Sequence, residues 1–247
     1  MIGADLASAF SLLSRLPLPG GGRVSSMAEG VWAWPLVGAV LGLCGGFVYW
    51  LAWHAGLSPL LAGLLGILTL ILLSGGLHED GLADTADALG GRSVDRRLAI
   101  MKDSRIGSFG TLALIASLGL RAAALAQIAE PRAVLLALMV SGLAGRAAMP
   151  GVVLLSAPAR PEGLGALLGP LSPMRVGLGS VLALVLGLML ATPRITGLAA
   201  LAGIVTAIAI ARFGQSRLGG FTGDTLGAAE QITEIAVLLI LAASVAP

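Results

Sequence analysis

Apolar residues dominate the chain in runs long enough to cross a bilayer, and polar residues gather between them. A spanning helix needs about 20 apolar residues at about 1.5 Å rise each. Residues 31–53, 57–77, 106–129, 133–156, 175–192, 196–213 and 226–245 meet or approach that length, which predicts seven spans. Trp32, Trp34, Tyr49, Trp50 and Trp53 sit at the two ends of the first run, where an aromatic belt would lie. Ahead of it, residues 4–16 place apolar positions at helical spacing with few charges and predict a short amphipathic helix on the membrane or against the bundle. Pro17, Pro19 and Gly20 to Gly22 then break the chain. The pattern predicts an all-α polytopic membrane bundle forming a single domain over 1–247.

Two segments interrupt the pattern. Residues 75–110 carry six of the thirteen carboxylates: Glu79, Asp80, Asp84, Asp87, Asp95 and Asp103. They also carry Arg92, Arg96, Arg97, Lys102 and Arg105, five of fifteen basic residues, and Lys102 is the chain's only lysine. Residues 214–234 repeat the theme with Arg217, Thr222, Asp224, Glu230 and Glu234 among glycines. These segments are the expected catalytic loops. Charge in so apolar a chain must be solvated, paired or bound to metal.

Composition sharpens the picture. Only 11% of residues are charged, 57% are hydrophobic and the mean hydropathy is +0.96, whereas soluble domains carry about a quarter charged residues. The thirty-six glycines suit close helix packing in lipid. Aromatic content of 4% argues against a stacking platform for nucleic acid. One cysteine, Cys44, excludes an intrachain disulfide and a cysteine-based zinc site. The first residues lack a basic stretch and an A-x-A site, so no cleaved signal peptide is expected. The net charge of +2 follows from topology. With the N-terminus in the cytoplasm, eleven basic residues fall on that side: Arg15, Arg23, Arg92, Arg96, Arg97, Lys102, Arg105, Arg160, Arg175, Arg212 and Arg217. Only Arg132 and Arg194 fall opposite, while Arg121 and Arg146 lie within spans. The asymmetry predicts that the polar segments face the cytoplasm.

The acids of 79–87 have a helical geometry. At 100° per residue, Asp80, Asp84 and Asp87 share a stripe of about 60°, and Glu79 lies about 100° from Asp80. Like charges on one face repel, and a divalent cation removes the repulsion. Carboxylates without cysteine favour Mg²⁺ or Mn²⁺ over Zn²⁺; a solvated acidic face paired with Arg92, Arg96 and Arg97 is the other reading. His78-Glu79 lacks the second histidine of an HExxH site. Lys102 and Arg105, in a glycine-flanked K-D-x-R, read as a phosphate grip. In the second segment, Gly-Gly-Phe-Thr-Gly-Asp offers backbone amides, Thr222 and Asp224 to a phosphorylated ligand, or Asp224 simply caps the last helix. Glu230 and Glu234 need cationic partners, and Arg121 and Arg146 are available; either these form buried pairs or Arg146 contacts substrate. The two segments are expected to meet.

GGLHEDGLADTADALGG (75–91), IMKDSRIGSFG (100–110) and GGFTGDTLGAAEQITE (219–234), with FSLLSRLPLP and WPLVGAVLG near the start, resemble the cobalamin synthase (adenosylcobinamide-GDP ribazoletransferase) family over nearly the whole chain. The resemblance implies a Mg²⁺-dependent enzyme of the bacterial cytoplasmic membrane. Such an enzyme joins adenosylcobinamide-GDP to α-ribazole or its 5′-phosphate and releases GMP. It also implies metal-binding roles for Glu79, Asp80, Asp84 and Asp87. Lys102 and Arg105 would hold non-bridging phosphate oxygens, and Asp103 or Asp224 would accept the hydroxyl proton. Membrane lipid is an expected partner, nucleic acid is not, and a homo-oligomer stays open. CDP-alcohol phosphotransferases share several aspartates at a membrane surface, but their D-x2-D-G-x2-A-R-x8-G-x3-D-x3-D pattern is not met. A transporter is the remaining alternative, since intramembrane Arg and Glu mark some translocation paths; here the charge concentrates in one loop and no repeat is visible.

Overall fold

A computed structural model describes residues 2–16 and 25–245. The expected break at residues 17–22 and the expected cytoplasmic Arg23 lie outside the described residues. The fold is helical, with helices α1 (Ile2–Leu13), α2 (Trp34–His54), α3 (Pro59–Ser74), α4 (Leu77–Asp87), α5 (Val94–Ile100), α6 (Ser108–Ile128), α7 (Pro131–Leu155), α8 (Leu164–Leu167), α9 (Pro173–Leu190), α10 (Pro193–Leu218) and α11 (Gly223–Ser244). Among the described residues the only β contact is an isolated parallel bridge between Pro158 and Phe221.

Six helices are long and apolar enough to span a membrane, the first extended by a 3-10 turn from Gly30; α3 and α4 together would make a seventh. These two are bent by 91°. The expected second span therefore stops at Ser74. Gly75 and Gly76 both adopt left-handed backbone, with φ of 72° and 70°, a conformation that suits glycine. The chain turns there, and the acids of 79–87 lie on a helix, as their spacing predicts. The second polar segment is also mostly helical. α10 runs through Arg212 and Arg217 to Leu218, and α11 begins at Gly223. Arg121 and Arg146 lie in unbroken helices.

α2 and α7 form the centre. Gly38, Gly42 and Gly46, one helical turn apart, lie against the α7 backbone at Gly142, Leu138 and Leu135, where a Cβ would collide. Without a hydrophobic drive between helices in lipid, such close approach supplies the packing. α3 turns Leu61, Leu64, Leu65, Leu68 and Leu72 outward, and α9 exposes Leu178, Val181, Leu184 and Leu188. Apolar surface of this extent suits lipid rather than water, and the chain is an integral membrane protein. α1 buries Ala9 and Leu13. Its Asp5 accepts hydrogen bonds from Trp32 Nε1 (3.1 Å) and Arg175 Nη1 (3.0 Å), which dock α1 beside the start of α9.

One end of the bundle is built of tight turns: Ala55–Ser58, Ala129–Glu130 and Ala191–Thr192. At the other end lie α4, α5, the 156–172 connection and the turn between α10 and α11, joined by the Pro158–Phe221 bridge and by a hydrogen bond from Arg97 to the carbonyl of Arg217 (3.1 Å).

Candidate active site

The site grows from the pairing of α4 with α11. Gly81 lies so close to Asp224 that an added Cβ would come within 2.7 Å of the Asp224 carbonyl oxygen. Gly227 approaches His78 in the same way, at 3.2 Å. Two glycines thus let the helices meet backbone to backbone, and the two polar segments come together as expected.

The acids of α4 divide into three groups. Glu79 points inward: its Oε1 accepts from Arg121 Nη2 (3.2 Å) and from Gln231 Nε2 (3.1 Å). Asp87 accepts from the backbone amides of Gly107 (2.7 Å) and Gly110 (2.8 Å). It ties the end of α4 to the start of α6, where a carboxylate offsets unpaired amides and the helix dipole. Asp80 is exposed and Asp84 half-buried. Among the described residues neither has an ion-pair partner.

Behind α4 lies a buried network. Arg121 also donates to Glu234 (3.5 Å), and Arg146 contacts Glu230 (2.7 Å), Glu234 (3.3 Å) and His78 Nδ1 (3.5 Å). Ser117 donates to Gln231 Oε1 at 3.0 Å. Arg121 is only 1% exposed. The expected pairing of intramembrane acids and arginines is therefore present. Arg146 belongs to that network and does not line the cavities described next. His78 Nε2, Glu79 Oε2, Arg121 Nε and Arg146 Nε are buried without partners.

Two cavities lie at this end of the bundle, one against α4 and one against the start of α11. One, of about 450 Å³, is lined by Asp80, Asp84, Lys102, Asp103 and Arg105. The other, of about 310 Å³, is lined by Lys102, Arg160, Glu162, Thr222 and Asp224. Met101 and Lys102 border both. Arg160 Nη2 contacts Asp224 at 3.4 Å. Thr222, buried, caps α11 through a reciprocal pair with Thr225, so the cap is Thr222 rather than Asp224. Asp103 is clasped by Arg105 at 2.7 Å. Hydrogen bonds from Arg105 hold its carboxyl down at about 2.

No set of three or more His, Cys, Asp or Glu side chains converges as a metal cage among the described residues. Asp80 and Asp84 remain, hard oxygen donors without partners beside a cavity. Mg²⁺ is commonly held by one or two carboxylates, with substrate phosphates and water completing its shell, and this pair fits that role.

Sequence reasoning counted Arg160 only as a topological charge; no spacing signal links it to Asp224, sixty-four residues later. It also missed Gln231, which joins Glu79 to Glu230.

The family model described as cobalamin-5-phosphate synthase matches residues 5–242. The chain belongs to that family. A relative from Bradyrhizobium diazoefficiens, named adenosylcobinamide-GDP ribazoletransferase, is 44% identical over 97% of this chain and 94% of its own length. Relatives of the same name from Azorhizobium caulinodans and Mesorhizobium japonicum are 40% and 38% identical, each over 96% of this chain and 94% and 92% of their own lengths. No solved structure matches the chain. Membership of the family gives the two cavities a context: they lie at the seam of the three sequence blocks on which the resemblance rests.

Proposed function

We propose that this protein joins adenosylcobinamide-GDP to α-ribazole or its 5′-phosphate and releases GMP, in the nucleotide-loop assembly step of cobalamin biosynthesis. Family membership supports the reading. The observation that carries it is the pair of cavities sharing Lys102, one beside unpaired carboxylates and the other beside Asp224.

A ribose hydroxyl attacks the corrinoid-side phosphorus of the diphosphate. A new P–O bond forms, the bridging P–O bond breaks, and GMP departs with the bridging oxygen. Asp80 and Asp84 would hold Mg²⁺, which when bound neutralises diphosphate charge. Glu79 and Asp87 instead fix α4, one through Arg121 and one through the α6 amides. Lys102, exposed between the cavities, meets non-bridging oxygens as a mobile cation. Asp224, which borders the second cavity, accepts the hydroxyl proton. Asp103 is a poor base near neutral pH because Arg105 stabilises its ionised form. Thr222 contributes by capping α11 and setting the position of Asp224. The basic-residue asymmetry supports an inner-membrane protein with this end in the cytoplasm.

The test uses the purified full chain in lipid nanodiscs with Mg²⁺, adenosylcobinamide-GDP and α-ribazole 5′-phosphate, and follows GMP. Mg²⁺-dependent release supports the reading. Absence of GMP, with CMP released from a CDP-activated lipid, overturns it.

A further inference from the structure

The second cavity poses a separate question: what does Arg160 recognise? Its backbone is held firmly. The amide of Ala159 donates to the carbonyl of Phe221 and the amide of Phe221 to that of Ala157, both at 2.8 Å. Gly220 permits this approach, since its Cβ would fall within 2.7 Å of the Ala159 nitrogen. The bridge delivers Arg160 to the mouth of α11 although sixty residues separate the two segments. Among the contacts of its side chain, Nη2 meets Asp224 at 3.4 Å. Guanidinium carries five N–H donors, so most of the fork is left for a ligand. Lys102 adds a second cation on the same cavity. Gly165 leaves the wall thin opposite the Gly223 amide: its Cβ would lie 3.7 Å from that nitrogen. As the first residue of α11, Gly223 has no acceptor within the helix for its N–H. The carboxylates of Glu162 and Asp224 also line this cavity of about 310 Å³, with Arg160 meeting Asp224. The remaining guanidinium donors, the Lys102 ammonium and the Gly223 amide supply a phosphate grip in a space large enough for a sugar phosphate.

The diphosphate already has a place beside Asp80 and Asp84, so a second phosphate needs another source. The family is described by a 5-phosphate product, whereas the relatives are named for ribazole transfer. The two descriptions differ by one phosphate. We infer that Arg160 is a specificity-determining residue that binds the 5′-phosphate of the ribose-bearing substrate, and that it sets the preference for phosphorylated over unphosphorylated nucleoside. The inference rests on the proposed reaction, but its ligand chemistry can be probed alone.

The experiment compares wild type, Arg160→Gln and Arg160→Lys as full chains in nanodiscs. Steady-state kinetics with α-ribazole 5′-phosphate and with α-ribazole give the ratio of kcat/KM values. In wild type the ratio favours the phosphate. In Arg160→Gln it falls by about 10- to 100-fold, the worth of a charge-assisted contact, through a rise in KM for the phosphorylated substrate. Arg160→Lys recovers part of the preference, which a merely structural role would not produce. An unchanged ratio overturns the inference. So does a KM rise confined to adenosylcobinamide-GDP, which would place Arg160 on the diphosphate. Calorimetric titration with ribose 5-phosphate and with ribose decides the matter independently of turnover. Wild type should bind the phosphate in preference to the plain sugar and Arg160→Gln should not; equal binding by both proteins overturns the pocket. Wild type that binds ribose 5-phosphate yet releases no GMP would sink the reaction and leave the pocket standing.

Discussion

Two clusters of acids and bases share α4 and α11 and have opposite fates. On the inner side, Glu79, Glu230 and Glu234 meet Arg121 and Arg146 in contacts of 2.7 to 3.5 Å. On the outer side, Asp80 and Asp84 border a cavity and have no basic side chain paired with them among the described residues, while Asp224 meets Arg160 beside the second cavity. Glu79 and Asp80 are neighbours in sequence and belong to different clusters. One helical step of about 100° separates a paired charge from an unpaired one. Pairing consumes the inner charges, because an isolated ion in a low-dielectric interior is costly. The outer charges keep unused valence, and a ligand can take it.

The comparison can be broken most severely from the inside. Arg121→Ala leaves Glu79 and Glu234 buried without this partner and should destabilise the bundle by about 3–5 kcal/mol. Thermal unfolding in detergent would register it as a large fall in Tm and yield; wild-type stability would mean that water or Arg146 already neutralises both acids. Asp84→Asn makes the opposite cut. It should lower GMP release by about 100-fold or more, the scale of a lost electrostatic contact to the reacting charge, with Tm essentially unchanged. A folded, fully active Asp84→Asn protein would remove the outer cluster from the chemistry. Asp87→Ala lies between the two. It frees two amides at the start of α6 and should cost about 1.5–3 kcal/mol of stability, while the KM for metal in the GMP assay stays near wild type; a strong rise in that KM would return Asp87 to the metal set.

The smallest effect belongs to Asp103. Its folded carboxyl, held at about 2 by Arg105, sits below the unfolded value of 3.8. The stabilisation from this clasp is therefore complete above about pH 4. It is lost only as pH falls through about 2. Asp103→Asn should change turnover by about threefold or less and leave the pH–rate profile unmoved between pH 5 and 9. Loss of a limb from that profile would restore Asp103 as the base.

Much of this was legible in the chain. The apolar runs give the spans, because lipid demands length and apolarity and little else. The helical angle already set Glu79 apart from Asp80, Asp84 and Asp87. The need of Glu230 and Glu234 for cations named Arg121 and Arg146 as partners, though the choice between pairing and substrate contact depended on tertiary packing between residues that lie 88 and 113 positions apart in the chain. Other features had no local signal. Periodicity cannot give the direction in which a helix leaves a turn, so the bend at Gly75 and Gly76 was hidden inside an apolar run. Asp87 lies on the acidic stripe, yet amides twenty and more residues later claim it. Arg160 gained its place through a backbone bridge between two irregular segments, which no side-chain pattern encodes.

Lys102 borders both cavities and is the chain's only lysine. Apart from the α-amino group, the protein therefore offers amine reagents a single address, on the wall between its two chambers. An acyl group placed there removes the shared cation and crowds both sides at once.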